Sequence, residues 1–287
     1  VARHALGVVA SLAAGSRANF GSMTKPLHAG AAARDAIMAV ELAEAGFTAN
    51  AAELDATAGF LERYGDLDAG PVGTAAETLE ERLEYWAQAW PQNWGLKRYP
   101  SCYGTHRGID AMLALRDEIG DAEPTAIRAT LHPRGTRPLR TALPTDGTEA
   151  KFSLEYTLAV ALRRGEVLLD DFSDETFADP AVHALVPRVA VGESEVPPRG
   201  PAAFAPGYTV VEVEFADRPP LWARVEVTHG VSSDPLTDDE LRAKVVDCAV
   251  AGGLGGEAAA LADALIAAVK AAPGPAFTSV IPNRSHA

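Results

Sequence analysis

Tyr208-Thr-Val-Val-Glu-Val-Glu-Phe215 and Leu221-Trp-Ala-Arg-Val-Glu-Val-Thr-His229, joined by Ala-Asp-Arg-Pro-Pro, decide the fold class. Both runs alternate between the two faces of an extended chain. They are rich in residues that suit a pleated surface, and a Pro-containing turn separates them. That pattern predicts a β-hairpin. The sequence on either side reads mostly as helix, so this hairpin separates a mixed α and β fold from an all-helical one. A third alternating run, Ala126 to His132, puts Ile127, Ala129 and Leu131 on one side and Arg128, Thr130 and His132 on the other. It predicts a half-buried strand.

Around these strands the helical signals are local and readable. Arg107 to Ile119 is predicted as a helix closed by Gly120, and Glu149 to Arg163 as another, with Leu154, Leu158 and Leu162 in register. Residues 192–207 are Pro/Gly-rich and predict a surface loop. Thr237-Asp-Asp-Glu240 is a capping box opening a helix through Leu241, Val245 and Ala249, which Gly252 to Gly256 should break. Leu261, Leu265 and Val269 form a last amphipathic face, ended by Pro273. Before residue 95 the chain reads as helix: Val1 to Ala14, then Ala29 to Ala45 ended by Gly46, then Glu77 to Trp90 stopped by Pro91. The Ala-rich second helix allows close packing and is expected in a helical core. An irregular loop, Asn19 to His28, precedes it. The Trp86/Trp90 stripe reads as core. The expected class is α+β multidomain: a helical domain (1–95 and 231–287) interrupted by an α+β unit (96–230).

Composition narrows the function. The 287 residues are 47% hydrophobic and 22% charged, which is enough to build a packed core. Lys plus Arg number 25 against 39 Asp plus Glu, a net charge of −14. Nucleic acid and anionic membrane surfaces both want a basic face, so neither is expected as a partner. An acidic small molecule in a local basic pocket stays open. Cys102 and Cys248 form no CxxC pair and no zinc spacing, which points to a reducing cytoplasm without a disulfide framework. The apolar run Ala5 to Ala14 is too short to span a bilayer. The chain opens on Val1 inside a helical pattern and reads as a piece, or a split half, of something longer.

Unusual polar residues gather in a few segments. In Met23-Thr-Lys-Pro-Leu-His28, Lys25 and His28 precede a helix start, where free N–H groups favour an anion. The same residues would also suit a capped loop. Tyr99-Pro-Ser-Cys-Tyr-Gly-Thr-His106 again leads into a helix, and the His106 imidazole is a candidate acid or base. A Cys102 thiol nucleophile lacks an orienting third group. Arg128, Arg134, Arg137 and Arg140 stand in a stretch with no acid from Thr125 to Thr145, suited to carboxylate forks or to a solvated loop. Lys151 falls in a predicted first helical turn, where a cation needs an anionic partner. Gly252-Gly-Leu-Gly-Gly256 has neither phosphate-binding glycine pattern.

Together the segments resemble the MmgE/PrpD family. The resemblance rests on Asn19-Phe-Gly-Ser-Met-Thr-Lys-Pro-Leu-His-Ala-Gly30, Lys97-Arg-Tyr-Pro-Ser-Cys102 with Thr105-His106, Glu149-Ala-Lys-Phe-Ser-Leu154 with Tyr156, and Gly230 through Pro235-Leu-Thr-Asp-Asp-Glu-Leu241 to Lys244. It covers nearly the whole chain, in family order. It implies a helical domain interrupted by an α+β lid, with the active site in the cleft between them. It also implies a cofactor-free, metal-free lyase acting on a small di- or tricarboxylate such as 2-methylcitrate. Dehydratases, decarboxylases and epimerases of the family share an enolate-like intermediate. Lys25 and His106 match catalytic positions. His28, Tyr103, Thr105, Arg134, Lys151 and Tyr156 are the expected substrate contacts. The family's long N-terminal helical section has no counterpart here. A homodimer, an assembly with a chain carrying that section, or a non-catalytic fragment are the corresponding expectations.

Overall fold

A computed structural model describes residues 1–64, 84–85, 95–140, 142–203 and 207–270. Apart from Glu84 and Tyr85, which are helical, the predicted helix Glu77 to Trp90 lies outside the described residues, as do its Trp86/Trp90 stripe and the stop signals Pro91 and Pro273. The chain divides into two compact units, Val1–Ala89 and Trp90–Ala287.

The described part of the first unit is helical: α1 (Ala2–Leu12), α2 (Thr24–Glu44) and α3 (Phe60–Tyr64). Ala5, Gly7, Val8 and Ala10 form the buried stripe of α1. A Cβ on Gly7 would sit 2.8 Å from the Ala49 Cβ, so this helix approaches its neighbour more closely than a side chain allows. α2 buries only the i, i+4 stripe Asp35, Ala39 and Ala43. Ile37, Val40 and Leu27 are exposed, so the expectation of a core helix holds for one face only. Small residues let α1 pack closely on that face, and no described element covers the other. α2 also starts five residues earlier than predicted, because Pro26 falls in the first turn. Its missing N–H has no intrahelical partner to lose there.

The second unit is mixed. A four-stranded sheet runs in the order β2-β1-β3-β4. Its strands are β1 (Ala126–Leu131), β2 (Val189–Glu193), β3 (Thr209–Glu214) and β4 (Leu221–Val225). β3 and β4 form the predicted antiparallel hairpin, Thr209 opposite Val225 and Val213 opposite Leu221. β1 pairs antiparallel with β3 and parallel with β2. The parallel pair requires a crossover, and helix α5 (Leu154–Arg164) lies on it. Ile127, Ala129 and Leu131 face the core, as their alternation requires. Against them pack α4 (Tyr103–Ile119), through Ile109, Met112 and Ile119, and α5, through Leu154 and Leu158. The two helices touch where α4 has Gly108; a Cβ there would meet Leu154 Cδ1 at 2.7 Å.

Three local differences matter for the site. α4 begins at Tyr103, four residues before the predicted start, so His106 lies inside its first turns. The predicted helix from Glu149 is split into a single turn, Gly147–Ala150, and then α5 from Leu154 with Ser153 as its N-cap. The split has a cause: the Lys151 and Phe152 carbonyls accept from Cys102 N–H (2.7 Å) and Arg140 N–H (3.0 Å). The hairpin ladder stops at Val225, short of His229, where Arg107 Nε donates to the Glu226 carbonyl at 2.7 Å.

Helices α6 (Asp238–Ala249) and α7 (Ala258–Lys270) follow. The Thr237/Glu240 capping box is formed. The glycine run breaks the helix as expected, with Gly253 at φ 79°. Residues 238–268 are long and apolar enough to cross a membrane on length and hydropathy alone. They instead form two helices held together by a two-point Arg242–Asp263 ion pair at 2.6 and 3.2 Å.

Candidate active site

The loop before α4 is built by its own polar groups. Lys97 Nζ donates to the Ser101 carbonyl at 3.0 Å. The Ser101 and Thr105 hydroxyls lie 2.8 Å apart, and the Thr105 hydroxyl donates to the Cys102 carbonyl at 2.8 Å. This turn presents His106 between two rings, Tyr99 at 5.2 Å and Tyr103 at 5.1 Å between centroids. The His106 side chain is fully buried, yet neither ring nitrogen has a hydrogen-bond partner among the described residues.

Burial drives the His106 pKa down to about 4, and the Lys97 and Lys244 ammoniums add to the effect. The nearby Ser101 and Tyr99 carbonyls favour the charged form and are outweighed. His106 is therefore neutral at pH 7, chiefly because it is desolvated. A buried imidazole whose nitrogens have no partner among the described residues, within electrostatic reach of two cations, has room in its chemistry for a polar, anionic ligand.

One turn on, Asp110 accepts from the Tyr99 hydroxyl at 2.6 Å. Burial raises the Asp110 pKa against the lowering influence of Tyr99 and Arg98. Arg98 lies 3.7 Å from Asp110 and 3.2 Å from Glu240. Glu240 and Asp234 in turn hold the two nitrogens of His229, at 2.9 and 3.0 Å. Asp110 and Thr228 each keep a buried oxygen without a partner among the described residues. The loop also meets the turn that precedes α6 through the backbone: Leu96 N–H donates to the Gly230 carbonyl at 2.8 Å. Gly230 has φ 103°, and a Cβ would lie 2.3 Å from the Leu96 oxygen, so only glycine fits. Two of the family-like segments, 97–106 and 230–244, thus meet in space. Sequence reasoning assigned no site role to Lys97, Tyr99, Asp110, Arg98, His229 or Lys244. The four-residue spacing of His106 and Asp110 on one helix face was the available signal.

Of the other expected site residues, Tyr103 and Thr105 adjoin His106 and the rest belong to other segments. Tyr103 is the half-exposed wall of the His106 cage, and the Thr105 hydroxyl is committed to its turn. Lys151 closes the single turn Gly147–Ala150 at its C-terminal end, where a cation suits the dipole, and lies over the Phe172 ring at 5.7 Å. The anomaly predicted for it disappears with the shifted helix boundary. Tyr156 is fully buried, and its hydroxyl donates to the Asp171 carbonyl at 2.6 Å. Burial first, then Asp171, pushes its pKa up to about 12. Of the four arginines, Arg128 and Arg140 already pair with Glu214 and Glu149, each at 2.9 Å. Arg134 is exposed in the turn after β1. The Cys102 thiol is buried, 3.8 Å from the Pro138 carbonyl.

In the first unit, Lys25 lies in the first turn of α2 with its ammonium 4.3 Å from the Phe20 ring centre. His28 lines a cavity of about 590 Å³ together with Asn19, Asp35, Val9 and Leu12. Both residues are inside the helix rather than before it.

The two-part organisation, helical in the described part of the first unit and mixed α and β in the second, is accompanied by two family models that match this chain. The MmgE/PrpD N-terminal domain matches residues 1–69 and the MmgE/PrpD C-terminal domain residues 99–270. The chain belongs to the MmgE/PrpD family. It is 26% identical over 248 residues to the cis-aconitate decarboxylase of Mus musculus and 28% identical over 247 residues to that of Homo sapiens. Each match covers 84% of this chain and 49% of the relative, so the chain spans about half the length of the curated relatives it matches.

Proposed function

We propose that the chain carries the proton-transfer residue of a cofactor-free lyase acting on a small di- or tricarboxylate. The observation that carries this reading is His106: buried, without a hydrogen-bond partner among the described residues, and held neutral near Lys97 and Lys244. A neutral imidazole nitrogen takes the proton alpha to a substrate carboxylate. The C–H electron pair moves into that carboxylate as an enolate, and the lysine cations stabilise the developing charge. In a dehydration the pair then returns to form the alkene, and the β-hydroxyl leaves as water with a donated proton. Lys25, at the helix start with His28, is assigned to the same reaction as a carboxylate-holding cation. Tyr103, Thr105, Lys151, Tyr156 and Arg134 remain candidate contacts, the first two by their position around His106.

A second reading is supported by the relatives' names: decarboxylation, in which the C–C bond to a carboxylate breaks, carbon dioxide leaves, and the carbanion is protonated. The proposal includes assembly, either as a homodimer or with a chain bearing further helices. Exposed Leu27, Ile37, Val40 and Phe47 in the first unit support it. A panel of di- and tricarboxylates, including 2-methylcitrate and cis-aconitate, followed by proton NMR, tests the reading. Formation of an alkene or loss of carbon dioxide from one member, by this chain alone or in its assembly, is expected. No turnover of any member by either form would overturn it.

A further inference from the structure

We propose that His229 is a protonated clamp: it positions the first turn of α6, and with it Lys244, against the His106 loop, and it releases that turn as the pH rises. The argument is one of donors and acceptors. The two ring nitrogens of His229 face carboxylate oxygens, Asp234 Oδ2 at 3.0 Å and Glu240 Oε2 at 2.9 Å. An ionised carboxylate only accepts, and a neutral imidazole has one N–H and one bare lone pair. A neutral His229 satisfies one of these contacts and sets two lone pairs against each other at the other. Only the imidazolium makes both, as two charge-assisted hydrogen bonds.

The surroundings fix what that charge holds. Glu240 is the third residue of α6 and the reciprocal half of its capping box; its Oε2 also accepts from the Thr237 N–H at 2.9 Å. Its other oxygen faces Arg98 at 3.2 Å, in the loop that carries Tyr99 and His106. Lys244 follows one turn later on the same helix and is close enough to His106 to disfavour its charge. The charged groups facing His229 are Asp234 from its own turn, Glu240 from α6 and Asp110 from α4, with Arg98 behind Glu240. Two carboxylates contact the imidazole and a third, Asp110, feels its charge, so the local balance favours the cation.

The pKa directions agree. Hydrogen bonding to Glu240 raises His229 above its ordinary value; burial opposes this and Asp234 adds to it. Burial pushes Glu240 up, but hydrogen bonds from Thr237 and His229, with Arg98, hold it at about 2. A histidine raised in the folded state contributes stability that is complete below about 6.5 and lost as pH climbs through its folded value. The clamp therefore holds fully below about 6.5 and opens as the pH climbs through the raised folded value.

Its consequence for catalysis rests on the function proposed above, but the clamp itself is read in the substrate-free chain. Long-range proton–nitrogen NMR should show both His229 ring nitrogens protonated at pH 6, with a titration midpoint above 6.5. Amide exchange at Glu240 and Leu241, corrected for intrinsic rates, should lose about tenfold in protection as the pH crosses that midpoint, the scale of one charge-assisted hydrogen bond. In His229→Gln the step should vanish, and in Asp234→Asn, which spares the capping box, the midpoint should fall. A single protonated nitrogen at pH 6, or α6 protection with no step at the His229 midpoint, overturns the proposal. A substrate panel without turnover leaves these signals unchanged, so the two readings fail separately.

Discussion

Replacing His106 by Leu isolates the cost of keeping a histidine dry. In the folded chain burial holds the imidazole at about 4, against 6.5 when solvated. Between those values the unfolded chain binds a proton that the folded chain refuses, so stability falls as the solution is acidified through this window. The shift of 2.5 units, at about 1.4 kcal/mol each, gives roughly 3 kcal/mol lost between pH 6.5 and pH 4. His106 is fully buried, so solvent screening does not reduce this figure. Leu has no proton to refuse, whereas the carboxylates that titrate in the same range are common to both proteins and cancel in the difference. Urea unfolding of both proteins, followed by circular dichroism from pH 7 to pH 4, measures it. The variant should gain about 3 kcal/mol on the wild type over that range. Parallel stability curves, or a His106 ring that titrates near 6.5 by NMR, would refute the reasoning.

Three further outcomes follow from individual contacts. Lys25→Met should lower kcat/KM in the active assembly by about a hundredfold, the scale of one electrostatic stabiliser, and unchanged kinetics in a folded variant would remove Lys25 from the reaction. Tyr156→Phe deletes the buried hydroxyl that satisfies the Asp171 carbonyl; it should cost about 1–3 kcal/mol in unfolding experiments, and an increase in KM at unchanged stability would instead mark a substrate contact. Light scattering at micromolar concentration should give a mass well above the 30.0 kDa of one chain, and a monodisperse monomer would contradict the proposed assembly.

Features written in local chemistry were legible before any coordinates. The β3–β4 hairpin, the alternation of β1, the Thr237–Glu240 capping box and the break at Gly253 depend on neighbours within a few residues, and all are present. β2 was missed and partly read as loop, because a short parallel strand is specified by its partner β1 rather than by its own pattern. The starts of α2 and α4 were placed late because Pro26 and the Tyr103-Gly104 pair read as loop residues, though both are tolerated in a first turn. The break at 151–153 comes from carbonyls taken by distant amides, which no local pattern encodes. The same holds for the site. His106 was found from its motif, whereas the Arg98–Glu240 contact joins residues 142 positions apart and becomes visible only when the loop and α6 meet.

The central claim is that the buried, neutral His106 moves the proton alpha to a substrate carboxylate. Solvent deuterium incorporation at that carbon, measured in D2O for wild type and a folded His106→Asn variant, tests it most directly. The account predicts exchange in the wild type that persists from pH 8 down to about pH 5, falls near pH 4 as the imidazole protonates, and is lost in the variant. Exchange at the wild-type rate in His106→Asn would contradict it and place the base on another residue.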